Sequence, residues 1–136
     1  MIKTNAETAT MNVENQMRAT LNHLKTMEEW VMKGEALNKI PPHTPMGIET
    51  LKNTLLREKH WWPKVVACRK LSERGDKKAV EVLEKALMDP HPEVQRAAVE
   101  ALSSMKSSYA RNALYRYLDR CGDDFNRAFV LTNLFA

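Results

Sequence analysis

Two adjacent tryptophans, Trp61 and Trp62, stand in the run REKHWWPK among Arg57, Lys59, His60 and Lys64. Flat aromatic faces beside cations suit two kinds of partner. Bases stack on indole rings while lysine and arginine hold the phosphates. Tryptophan and arginine are equally the usual anchors of a contact between proteins. The plain alternative is packing, with one ring sealing the space between helices. Trp30, 31 residues before Trp61, favours that role for Trp61. A second aromatic and cationic group, Arg111, Tyr115 and Arg116, follows later in the chain. With Arg57, Lys59, Trp61, Trp62 and Lys64 it makes up the candidate partner-binding residues.

Other chemistry is sparse. His23, His43, His60 and His91 are scattered, and none has a second His or Cys at ligand spacing, so no metal site is expected. His60 reads as a solvated turn histidine. Cys68 shares a periodic position with Val99 and Val130 and reads as a small buried hydrophobe. Cys121 precedes the last helix, but Asp119, Asp123 and Asp124 oppose a thiolate there. No glycine-rich phosphate loop and no Ser-His-Asp order is present. The paired carboxylates Glu28-Glu29 and Asp123-Asp124 are sequence neighbours and point apart on a helix. The expectation is a protein without catalytic residues or cofactor, and not an enzyme.

The elements that position these residues follow a period of 31 residues. Ala79, Leu83 and Leu87 return as Ala110, Leu114 and Leu118, and Ala67 and Leu71 return as Ala98 and Leu102. Val94, Arg96, Ala97 and Val99 return as Phe125, Arg127, Ala128 and Val130. A fixed period of this size marks stacked helical units. Apolar spacing and Pro, Gly and Ser punctuation predict helices over about 45–58, 62–74, 76–88, 92–105, 107–119 and 122–135. Upstream, Met17, Leu21, Leu24, Met27 and Val31 predict an amphipathic helix over 11–33. Gly34 is expected to end it, with a short helix over 35–40 stopped by Pro41 and Pro42. Residues 1–44 thus read as an N-terminal helical cap with a degenerate first repeat helix, and 45–136 as the repeats, in a single domain overall.

Composition agrees. With 43% hydrophobic and 28% charged residues the chain has an ordinary globular balance. No apolar run reaches a membrane span, and the first residues lack the apolar stretch of a secretory signal. Two cysteines far apart suit a reducing compartment, so a cytoplasmic location is expected. The net charge of +4 sits mostly in one unit, because residues 45–75 carry seven positive and three negative residues. That basic zone points to an acidic partner.

The stretch DPHPEVQRAAVEALSSMKSSYARNALYRYL resembles the HEAT family: a proline opens the first helix, Val-x-Arg-Ala-Ala follows, and Ala-x-x-x-Leu comes later. The short period is similar to the subgroup found in phycobilin lyases and many small bacterial proteins. HWWPKVVACRKLSERGDKKAVEVLEKALMDPHPEVQRAAVEAL also resembles the C-terminal repeats of the conserved virulence factor C family. The resemblance implies an all-α, HEAT-like α-solenoid, a right-handed stack of helical hairpins. It implies an inner surface from the second helix of each pair, carrying Lys52, Arg57, Lys78, Lys85, Arg111, Tyr115 and Arg116. It also implies that Arg96 and Arg127 pair with acidic residues of adjacent turns. The expected function is a binding module or scaffold for another protein. The alternatives are phosphate-backbone binding of nucleic acid through the basic Trp-containing repeat, and a bilin lyase or chaperone role. Phe129, Leu131 and Phe135 on the last helix exceed one packing face, and a homodimer through that helix is expected.

Overall fold

The computed structural model describes residues 5–135, with side chains for 12–22 and 26–135. Among the described residues there are seven helices and no strand. They are α1 (Asn5–Asn38), α2 (Pro45–Arg57), α3 (Trp61–Arg74), α4 (Lys77–Ala86), α5 (Pro92–Ser104), α6 (Ser108–Arg120) and α7 (Asp124–Leu134). The five expected helix starts from Pro45 to Ser108 hold to within a residue, and the last helix begins at Asp124.

Capping follows the period to within a residue. Thr44 Oγ1 accepts from Gly47 N at 2.9 Å, Asp76 Oδ1 from Ala79 N at 3.1 Å, and Ser107 Oγ from Tyr109 N at 3.1 Å. Each satisfies an orphan amide of a first turn. Pro45 and Pro92 occupy first-turn positions, where a missing N–H costs nothing. Gly75 closes α3 at φ +71°, a left-handed conformation open to glycine.

The helices form two layers. In one, α1, α3, α5 and α7 lie side by side; in the other, α2, α4 and α6 do. Between them runs one core in which Leu51, Leu71, Leu83, Leu87, Leu102, Leu114, Val94 and Val130 are fully buried. Leu71 and Leu102, like Leu83 and Leu114, are the same position one unit apart. No unit can bury its apolar stripe without its neighbour.

The expected break at Gly34 does not occur, and α1 runs through it as one helix of 34 residues. Gly34 is a close-approach position instead. A Cβ there would lie 2.5 Å from Trp62 Nε1 and 3.4 Å from Val66 Cγ2. The absent side chain lets α3 seat its indole against α1, and an interior glycine costs a helix only about 1 kcal/mol. The end of α1 is set by Pro41 and Pro42. The carbonyls of Ala36 and Leu37 receive Lys39 N and Ile40 N at 3.2 and 3.1 Å in a tightened last turn.

On α7 only Val130 is buried; Phe129 and Leu134 are half-buried against the core. Phe125 is exposed although Val94, its counterpart one unit earlier, is fully buried. It lies under the Arg96 guanidinium, 5.1 Å from the ring centre.

Candidate functional site

The tryptophans stand where α2 turns into α3, and neither ring is free. Trp61 stacks on His91, with ring centres 5.3 Å apart and planes 10° from parallel, and it meets Trp62 edge-on at 5.9 Å. Trp62 rests on Gly34 and carries the Arg69 guanidinium at 5.7 Å from its ring centre. One unit earlier the first stack is repeated, because Trp30 lies on His60 at 4.1 Å. Both histidines are N-cap residues, His60 of α3 and His91 of α5. His60 is therefore half-buried against an indole, where the sequence suggested a solvated turn. The pairs Trp30–His60 and Trp61–His91 form a ladder, each rung joining consecutive units.

A second ladder runs beside it. Lys33 Nζ reaches Glu58 Oε2 at 3.3 Å, and one period on Lys64 Nζ reaches Asp89 Oδ2 at 2.8 Å. At the next two periodic positions the cation gives way to amides: Asn126 Nδ2 donates to Gln95 Oε1 at 3.2 Å. Burial pulls the Glu58 carboxyl upward, but the Lys33 ammonium and the His60 and Lys59 amides outweigh it and hold the group below the usual carboxylate range. Lys64 is thus occupied within the fold. Other cations of the basic zone are similarly engaged: Lys70 Nζ lies 3.1 Å from Glu73, and Arg74 bonds both Asp76 at 2.8 Å and the Pro42 carbonyl at 2.9 Å. Among the described residues Lys52, Arg57 and Lys59 make no ion pair.

Arg111, Tyr115 and Arg116 lie on α6, with α4 between that helix and α2. The structure therefore splits the candidate residues into two groups in different parts of the molecule. Arg116 grips Glu84 of α4 through Nε and Nη2 at 2.8 and 3.0 Å, and Arg120 approaches the same carboxylate at 3.7 Å. The Arg116 guanidinium holds the Glu84 carboxyl below its usual range, against the opposing effect of burial. Arg111 and Tyr115 stay exposed, while Tyr117 is buried in the core.

The outward face of α2, α4 and α6 is where unengaged groups collect. Lys52, Arg57, Lys78, Lys85 and Arg111 stand there without an ion pair among the described residues, beside Glu49, Glu81, Asp119 and the engaged cluster of Arg116, Arg120 and Glu84. Leu56, Met88 and Tyr115 add apolar surface that is 57%, 64% and 44% exposed. A shallow groove of about 400 Å³ runs past Glu81, Glu84, Lys85, Met88 and Arg120. Arg111 borders a second hollow of about 210 Å³ with Lys106, Ser107 and Asn133.

The remaining expectations divide. Arg96 pairs with Glu93 of its own helix at 2.8 Å, whereas Arg127 donates to the carbonyls of Leu118 and Cys121 and meets no carboxylate among the described residues. It closes the C-terminus of α6, a natural seat for a cation. Cys68 is fully buried, and burial pushes its thiol up to about 12. Among the described residues no group of His, Cys, Asp and Glu is placed to hold a metal, and no helix is long and apolar enough to cross a membrane.

Paired helices stacked at a fixed period, with a proline or a capping residue opening each helix, define a helical-repeat solenoid. The model of HEAT repeats matches residues 48–134, and the chain belongs to that family. No curated protein and no solved structure matches the chain. HEAT repeats generally mediate protein–protein interaction or scaffolding and are typically non-catalytic.

Proposed function

We propose that this chain is a non-catalytic module that binds an acidic protein through the outward face of α2, α4 and α6. One observation carries the reading. On that face cations without carboxylate partners alternate with exposed Leu56, Met88 and Tyr115. On the other layer the indoles are spent on contacts between units, and most cations on partners within the fold. A contact region needs both apolar anchors and polar surroundings, and this face offers the two together. Arg57, Lys52, Lys85, Arg111 and Tyr115 are the residues assigned to it. Trp61, Trp62 and Lys64 support the stack beneath.

Nucleic-acid binding loses its stacking platform in this arrangement, since the Trp61 face is covered by His91 and Trp62 lies against α1 and Arg69. The likeness to phycobilin lyases and to the conserved virulence factor C family adds no further residue to the face. A photoreactive amino acid at Met88, against a control at the exposed Glu100 of α5, tests the proposal in cells. Protein adducts at position 88 that vanish in Lys85→Glu, Arg111→Glu are expected. Nuclease-sensitive adducts, or equal labelling from position 100, would refute it.

A further inference from the structure

The N-terminal part of α1 extends beyond the stack. At about 1.5 Å per residue the helix is roughly 50 Å long, while the other helices span 10 to 14 residues. All side chains from Asn12 to Asn22 are exposed. They are nevertheless patterned. From Val13, alternating steps of four and three pass through Met17, Thr20, Leu24, Met27 and Val31. This spacing is the 3.5-residue repeat of a seam between supercoiled helices, not the broader stripe of a helix lying on a globular core. The same count lands next on Gly34 and Asn38. There the seam meets a cavity of about 200 Å³ between α1 and α3, floored by Trp62 and Val66.

We infer that this seam is filled by α1 of a second copy, running antiparallel. Three observations select that occupant. The frame is symmetric about the middle of the helix: with full overlap, position 13 is level with position 31 of the second copy, 17 with 27, and 20 with 24. Leu21 lies just off the seam and is 62% exposed. An antiparallel pair brings it to the two-fold axis against its own counterpart, whereas a parallel pair leaves it beside Gln16. Arg18 is the only cation among residues 12–22, so the polar side lacks the basic character of a membrane-surface helix.

The cost of this arrangement is Glu14 flanking Glu28 of the second copy, and that supplies a signature. Sedimentation equilibrium of the full chain should show a monomer–dimer mass. Met17→Glu with Met27→Glu should reduce it to the monomer while the repeat body keeps its cooperative melt. Leu131→Glu with Phe135→Glu on α7 should leave it doubled. Glu14→Lys should tighten the dimer roughly three- to tenfold, the scale of rim charge pairs. In a Cys121→Ser background, Leu21→Cys should form a disulfide-linked dimer and Thr20→Cys should not. A monomer at every accessible concentration would overturn the inference, as would a dimer abolished only by the α7 variant or a cross-link through position 20 alone. Association of the monomer with anionic vesicles in place of self-association would overturn it too.

Discussion

The two layers use the same side chains to opposite ends. In the layer of α1, α3 and α5, lysine and tryptophan are joined across units: Lys64 and Asp89 leave only 14% and 8% of their side chains exposed. In the layer of α2, α4 and α6 the corresponding clamp, Arg116 on Glu84, is 54% and 24% exposed. Charge near the core needs a partner because desolvation is expensive, whereas charge at the rim gains little from one. A cation count per repeat therefore says little about a surface until each cation has been assigned to a layer.

Substitutions can break that contrast. The largest effects belong to the core both layers share, where Leu83→Ala and Leu114→Ala should each lower unfolding free energy by about 2–5 kcal/mol. Chemical denaturation of both variants tests whether the two units are equivalent; losses below about 1 kcal/mol at both would contradict the shared core. Next comes the inner ion pair. Asp89→Ala should cost on the order of 3 kcal/mol by stranding the Lys64 ammonium, and Lys64→Met added to Asp89→Leu should recover most of it. Arg116→Ala should leave the melting temperature nearly unchanged. Equal losses from Asp89→Ala and Arg116→Ala would erase the distinction between layers.

Gly34→Ala sets helix propensity against packing. The methyl group gains about 1 kcal/mol for the helix, yet it meets the Trp62 indole at 2.5 Å. A net loss of about 1–3 kcal/mol is expected, the scale of an overpacked contact. Stabilisation would mean that α3 does not rest there. A smaller effect is acid sensitivity. Glu58 and Glu84 sit below the ordinary value of 4.5 in the folded chain. A depressed folded pKa gives stability that is full above the unfolded value and lost as pH falls through the folded one. Urea midpoints should therefore drop below about pH 4.5, less steeply in Glu58→Gln. The mildest probe reads no stability at all: a thiol reagent at mildly alkaline pH should modify half-exposed Cys121 readily and leave Cys68 untouched in the native chain.

Most of the fold was legible because the period constrains it from both ends: apolar spacing names the buried positions, and Thr44, Asp76 and Ser107 mark the starts. Gly34 misled because a glycine signals either a break or a close approach, and only the position of Trp62 decides between them. The site was less legible. Lys59 and Lys64 look alike in sequence, but only Lys64 has Asp89 within reach. The signal for that pair was present all along. Lys33 and Glu58 stand at the same separation one period earlier, as Trp30 and His60 do relative to Trp61 and His91. Shifting pairs of residues, as well as single ones, by the repeat length would have found both ladders.

The rungs of these ladders are 30 residues apart for Trp–His and 25 for Lys–carboxylate, both shorter than the 31-residue spacing of Trp30 and Trp61. Copying in tandem one complete unit that carries Trp30 and Lys33, or Trp61 and Lys64, therefore preserves every rung and supplies the new unit with its own half of each contact. A copy whose length is not a whole number of units would leave a lysine facing no carboxylate and an indole facing no imidazole. The cross-links thus act as a ruler for growth: they let such a gene lengthen by whole multiples, with intermediate lengths penalised at the moment they arise.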